Sequence, residues 1–326
     1  METDREDYNG RWYGIGSCWV VPHIYYNADT LSAAGIEPPG YDTATAWNWD
    51  QLLDIARQLT TDGGGKHPGE DGFNVDDVQQ WGVSWPTANG IVRNALVYSN
   101  LGEVYTKEYE FKLGEPAGLE ALQALSDLTM VHQVAPQASM FEQLGMDAWQ
   151  ALASGRVAII IDGSWALQDI SKLGFNFGCG VLPYMKEAWS GATAHSHVIH
   201  KDTKNVDAAW KLLAYLSSDD YQRGLCAAGL WLPSHTSLMT PEGLATWITE
   251  GVHPEGYAAI ATDYLLSHTK AEILVPGVEE TDTVLTAALD PVWIGQSTVD
   301  EALNGSGTAE QINGILQETK ANIAGS

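Results

Sequence analysis

The chain has 326 residues and sets 42 acidic side chains against 16 Lys plus Arg, for a net charge of −26. Such a surface repels nucleic acid and anionic membrane, which excludes both as partners, and no apolar stretch reaches membrane-spanning length. The length allows two domains with a sizeable core, while three cysteines (Cys18, Cys179 and Cys226) show no metal-ligand spacing and leave the redox compartment open.

Aromatic usage is unusual, with thirteen Trp and thirteen Tyr against five Phe. Rings with a polar handle suit sites that are apolar on one side and wet on the other, such as sugar faces, although most of them belong in a core. In chain order, Met1 to Asp7 has neither a basic n-region nor an apolar h-region, so no signal peptide is read in this chain. Asn9-Gly10 reads as a turn followed by a short strand, residues 19–26 as a second strand, and Asn27-Ala28-Asp29 as a helix start. Asn48 with Gln51 three residues on has the form of a capping box, and Leu52, Ala56 and Leu59 trace one helical face. Residues 63–77 form a Gly- and Asp-rich loop whose Asp71, Asp76 and Asp77 lack the ligand spacing of an EF-hand. Residues 81–85 make a short strand ending in Trp85, and residues 87–100 a helix with Asn89, Arg93 and Asn94 near its start. Leu119, Leu122, Leu125 and Leu128 line a further helix.

The most informative stretch follows. Residues 141–152 are apolar at helical spacing, with Gly155 where a C-cap glycine belongs. Val157-Ala158-Ile159-Ile160-Ile161 then reads as a strand buried on both faces. It stops at Asp162-Gly163-Ser164, where Asp or Ser can cap the helix that Trp165-Ala166-Leu167 opens. A large ring thus stands at the carboxyl end of a buried strand, the edge where open α/β sheets bind ligands. Trp165 is either a ligand platform or a core residue at a helix start.

Residues 173–182 carry another strand. His195 and His197 share one face of the next, with His200 beyond its end; solute contact or strand packing ranks above a metal site, and no metal or cofactor is expected. Val206, Ala209, Trp210, Leu213 and Leu216 form a helical stripe, most simply core. From Thr240 onward the chain reads helical, with a capping box at Thr298 and Glu301.

Several of these motifs, in this order, resemble the extracellular solute-binding proteins of ABC importers, in the sugar-binding family that includes the maltose-binding proteins. The carriers are the Asn9-Gly10-Arg11-Trp12-Tyr13-Gly14 turn, Tyr25-Tyr26-Asn27 with Asp29 and Leu31, Ala34-Gly35-Ile36, and the strand ending in Gly163-Ser164-Trp165. Lys204-Asn205 with Ala208-Ala209-Trp210, Gly229 to Ser234, and Thr298 to Leu303 continue the likeness. The resemblance implies an α/β, two-lobed architecture of the type II periplasmic-binding-protein kind, with hinge crossings near residues 17–19 and 229–234. It implies a non-enzymatic receptor outside the cytoplasm (periplasmic or a cell-surface lipoprotein) that binds a sugar or oligosaccharide and presents it to membrane permease subunits. Sugar faces would stack on Trp165, with Trp19 and Trp231 as further platforms; Asp162, Gly163, Ser164, Trp85, Asn89, Arg93 and His195 complete the candidate site.

In that family the opening motif lies roughly a hundred residues into the mature protein, about one small domain. The expected division is therefore a remnant of the first lobe over 1–19, a second lobe over 20–228, a second crossing with first-lobe helices over 229–290, and C-terminal helices over 291–326. The first lobe would be incomplete, leaving apolar faces exposed, including those of the helices after Ser234. The competing reading is a glycoside hydrolase using Asp162, since Trp-lined clefts and carboxylates also serve such enzymes. A nucleophile elbow, a P-loop and a dinucleotide fingerprint are all missing from the sequence.

Overall fold

The computed structural model describes residues 7–8 and 11–324. Its strands are β1 (Asp7–Tyr8), β2 (Arg11–Trp12), β3 (Ile15–Val20), β4 (Pro22–Asn27), β5 (Thr61–Asp62), β6 (Val78–Ser84), β7 (Val157–Gly163), β8 (Phe177–Gly180), β9 (Ser190–His197), β10 (Leu232–Pro233) and β11 (Thr269–Ala271). The isoleucine run makes β7 the centre of a five-stranded mixed sheet of order β5-β6-β7-β4-β8, parallel to β6 and antiparallel to β4. Residues 157–161 of β7 are all buried, as an unbroken β-branched run in a sheet covered on both faces requires. A second sheet has the order β10-β3-β9-β11.

Residues 19–26, read as one strand, are two. Val20 ends β3 in the four-stranded sheet and Pro22 begins β4 in the five-stranded one, so the chain crosses between sheets at Val21. Proline, lacking an N–H, is tolerated at the first residue of a strand. Burial is continuous from Ser17 to Tyr26, so nothing in the hydropathy pattern marks the change.

Local signals held at the helix ends. Asn48 caps Trp49–Leu59 reciprocally: Gln51 N–H donates to Asn48 Oδ1 and Asn48 N–H to Gln51 Oε1, both at 2.9 Å. Residues 141–152 split into Ser139–Leu144 and Ala148–Ala153, because Gly145 adopts φ 63° and Asp147 with Gln150 forms a second capping box. Gly155 has φ 75°, the left-handed turn expected of it.

Three expectations about the lobes need correction. Residues 20–228 do not belong to one sheet: β9 lies inside that range yet hydrogen-bonds to β3 and β11. Nor are the last helices left bare. Val278–Trp293 and Thr308–Ala324 pack on Pro116–Met130 and the loop before it, through Ser126 Oγ–H to Val292 O at 3.0 Å and Phe111 N–H to Asn313 Oδ1 at 2.8 Å, and bury Leu285, Leu289, Val292, Ile312 and Leu316. The stripe on Val206–Leu216, by contrast, is not core. That helix has no buried residue, and Trp210 is 62% exposed. The periodicity shows which face is apolar but not whether anything covers it.

Candidate ligand-binding site

The site grows from the end of β7. Asp162 Oδ2 accepts the indole N–H of Trp149 at 2.7 Å, and Oδ1 accepts the N–H of Gly163 at 2.7 Å. Burial raises the Asp162 carboxyl above its ordinary range, and its hydrogen bonds from Trp149 and Gly163, with the nearby Trp165 indole, oppose that rise. The side chain therefore fixes the Trp149 ring. It does not cap the helix: the turn Ser164–Ala166 starts at Gly163 with no side-chain cap from Asp162 or Ser164.

Gly163 is required by space and not by its backbone angle, since its φ of −76° suits any residue. A Cβ there would stand 2.1 Å from the Trp165 ring, which lies across the glycine. Replacing Gly163 with Ala should push that indole off its seat with little change in fold. The check is a shifted tryptophan emission spectrum with an unchanged far-ultraviolet circular dichroism spectrum; an unmoved emission band would contradict the packing described.

The crossing between sheets is tied to this corner. Val21 O accepts Ser164 N–H at 2.9 Å and the His23 Nδ1 hydrogen at 2.8 Å, and Tyr25 donates its hydroxyl to Gly163 O at 3.1 Å. Because a carbonyl can only accept, His23 holds its proton on Nδ1, and its buried Nε2 has no hydrogen-bond partner among the described residues. His23 stacks between Tyr25 and Tyr257, with ring centroids at 5.9 and 5.7 Å. Burial lowers its pKa to about 4. His253, tilted against Tyr257 with centroids 4.9 Å apart, is lowered to about 4 by the same cause.

Residues 229–234, expected as a second crossing, reach the same corner without a change of sheet, since β10 pairs with β3 in the sheet that also holds β9. Gly229 has φ 73°, and a Cβ there would lie 3.1 Å from Gln168 N, so only glycine lets this turn after the helix Asp219–Ala227 run against the helix start after Trp165. Two residues on, Trp231 stacks on His195 of β9 with centroids 4.7 Å apart. Trp165 and Trp231 are both part-exposed, and His195 is exposed.

The remaining candidates play other parts. Trp19 is buried, and its indole donates to Pro233 O at 2.8 Å, pinning β3 to β10. Trp85 is buried, tilts against Trp49 and donates to Val92 O at 2.9 Å. Arg93 is 3% exposed, with Nε–H on Asn94 Oδ1 at 3.2 Å and a second N–H on Thr87 O at 3.3 Å. Asn89 is exposed and precedes Gly90–Ser99 without a side-chain cap. The histidine group is split: His195 is on Trp231, while His200 Nδ1 accepts Asp202 N–H at 3.2 Å. No cluster of three metal-ligating side chains occurs among the described residues. Trp149, His23 and Tyr257 are neighbours of these candidates that sequence reading missed; their contacts are tertiary, and no spacing announces them.

Strand ends carrying aromatic rings between two α/β sheets joined by short crossings are the geometry of a two-lobed solute receptor. Residues 6–223 match the bacterial extracellular solute-binding protein family, and the chain belongs to that family. A binding protein of Brucella abortus (strain 2308) is 21% identical over 316 residues, 95% of this chain and 69% of that relative. The sn-glycerol-3-phosphate-binding periplasmic protein of Rhizobium meliloti is 27% identical over 168 residues, 50% of this chain and 34% of the relative. Among solved structures, an ABC substrate-binding protein of Listeria monocytogenes in complex with cycloalternan superposes with a TM-score of 0.78 at 20% identity, covering 96% of this chain and 74% of the other. The GacH receptor of Streptomyces glaucescens, solved unliganded and with acarbose, gives 0.73 at 19% identity, covering 96% and 74%. The fold is thus the two-lobed, type II periplasmic-binding-protein fold.

Proposed function

We propose that the chain is a receptor for a sugar or oligosaccharide in an ABC import system, working outside the cytoplasm and presenting its ligand to membrane permease subunits. The observation that carries this reading is the Asp162 carboxylate holding the Trp149 indole, beside the Trp165 ring that lies across Gly163 at the carboxyl end of β7. Flat, pre-oriented rings with part-exposed edges are what the apolar faces of a pyranose stack on, and a ring already locked in place loses little freedom on binding. Trp231 on His195, just before β10, offers a second platform. Relatives by fold that are solved with cycloalternan and with acarbose support an oligosaccharide as the solute class. Binding at the junction of two lobes favours the closed arrangement that a permease can distinguish from the open one.

The alternative, a glycoside hydrolase with Asp162 as acid or nucleophile, asks this carboxylate to reach substrate while it accepts the Trp149 indole and a backbone N–H. Incubation with a panel of oligosaccharides, followed by chromatography, should return every sugar intact. Turnover that Asp162→Asn abolishes would establish the hydrolase instead.

A further inference from the structure

Three cysteines leave the redox chemistry of the chain open in the sequence, and the fold sorts them. All are buried thiols. Cys179 lies on β8 in the five-stranded sheet, opposite Tyr25. Cys18 lies on β3 in the other sheet, and Cys226 in the helix Asp219–Ala227 that precedes β10.

Two sets of hydrogen bonds bring the last two together. β10 runs antiparallel to β3, with Pro233 directly opposite Cys18. The helix is tied to the end of the same short strand by Gln222, whose Oε1 accepts Ser234 N–H at 2.9 Å and His235 N–H at 3.3 Å. Gln222 Nε2–H donates to Ser234 Oγ at 3.1 Å, and that hydroxyl donates to Gly16 O at 3.2 Å, just before Cys18. Gln222 therefore faces β10 and β3. Cys226 is one helical turn further on and shares that face, about 5–6 Å along. The chain then turns at Gly229, φ 73°, and runs back as β10 toward Pro233 and Cys18. Side-chain alternation agrees. Trp19 lines the large groove beside β3, so Cys18, its neighbour, points to the opposite side of the sheet. Cys226 is wholly buried and does not line that groove either. Burial, and next the nearness of Cys18, raise the Cys226 thiol above its ordinary range.

We propose that Cys18 and Cys226 form an oxidation site, joined in the native protein by a disulfide that staples the helix Asp219–Ala227 to β3 and leaves Cys179 reduced. The proposal takes from the proposed function only the placement outside the cytoplasm, where disulfides persist. The oxidant is an exchangeable disulfide, such as oxidised glutathione. The thiolate of one cysteine attacks a sulfur of that disulfide, forms a mixed disulfide and expels one thiolate. The second cysteine, as thiolate, attacks its partner's sulfur and expels the other. The oxidant thus gains two electrons, and the two protons lost by the cysteines end on the two departing thiols. Buried thiols are poor nucleophiles, so the bond forms while the helix is undocked from β3. Undocking is local, because β10 is a two-residue strand at the sheet edge. Trp231 stands between Cys226 and Pro233 in the chain, so the staple also holds that ring against His195. The bond closes a long loop, from residue 18 to residue 226, which places its stabilisation near the upper end for a disulfide.

The test refolds reduced protein from urea in a glutathione redox buffer, alkylates it under denaturing conditions and maps the non-reduced peptides by mass spectrometry. The expected result is one alkylated cysteine, Cys179, and a cross-linked pair of peptides carrying Cys18 and Cys226. Cys226→Ala should leave both remaining cysteines alkylated, whereas Cys179→Ala should keep the cross-link. Reduction should lower the melting temperature of the wild type by roughly 5 °C or more and leave that of Cys226→Ala unmoved. Three alkylated cysteines after refolding, or a cross-link through Cys179, would overturn the proposal. Neither readout involves a solute, so that failure leaves the receptor reading standing, and a failure to bind sugar leaves the cross-link standing.

Discussion

Between pH 7.5 and pH 4 the folded protein is expected to lose about 3 kcal/mol through His23 and a similar amount through His253. Both are buried and held near pKa 4, against 6.5 for an unhindered imidazole. The unfolded chain therefore takes up a proton at each as pH falls through 6.5, while the folded chain resists until about 4. The stabilisation is complete above pH 6.5, drains away between 6.5 and 4, and changes no further below that. Tyr25 and Tyr257, between which His23 lies, have pKa values raised by burial and remain neutral throughout. Protonation of the acidic surface relieves self-repulsion over part of the same range, so the histidine effect is isolated by difference. Urea unfolding at pH 7.5 and 4.5 should show a smaller loss in His23→Gln, whose amide can still donate to Val21 O. A wild-type loss equal to that of His23→Gln would mean that His23 is solvated or charged in the native state.

Replacing Trp165 with Ala should weaken oligosaccharide binding by about 1–3 kcal/mol, a factor of roughly ten to a hundred or more, if the ring is a stacking platform. The fold should survive, because Trp165 is part-exposed and sits over a glycine, not inside the isoleucine core. A core tryptophan truncated to Ala would instead cost about 3–5 kcal/mol of stability. Calorimetric titration and thermal melting of the same variant separate the two. A large drop in melting temperature with affinity intact would remove Trp165 from the site.

What the sequence disclosed follows from how local each feature is. The β7 run, the Asn48–Gln51 box and the turn at Gly155 are decided within a few residues, and the structure shows all three. The change of sheet at Val21 was hidden because the chain is buried on both sides of it, so the hydropathy does not alter. β11 escaped notice because three residues pairing parallel to β9 leave no periodic trace. At the candidate site, Trp165 and Trp231 are legible as rings beside strand ends, but the hydrogen bond that Asp162 accepts from Trp149 is not. Its partner Trp149 is 13 residues earlier on a different element, and only the fold brings them together. Trp85 and Arg93 read from the sequence as suited to ligand contact; both are buried, with their polar atoms on backbone and Asn94 partners, which no spacing discloses.

The most direct test of the receptor reading is titration calorimetry of the native protein, as purified from its own cells, against a panel of oligosaccharides and non-sugar solutes including glycerol 3-phosphate. The account predicts that at least one oligosaccharide binds one-to-one with a dissociation constant at or below about 1 μM, equivalent to about 8 kcal/mol, and is recovered unchanged. Saturable binding of a non-sugar solute alone, or conversion of the sugar during the titration, would contradict it.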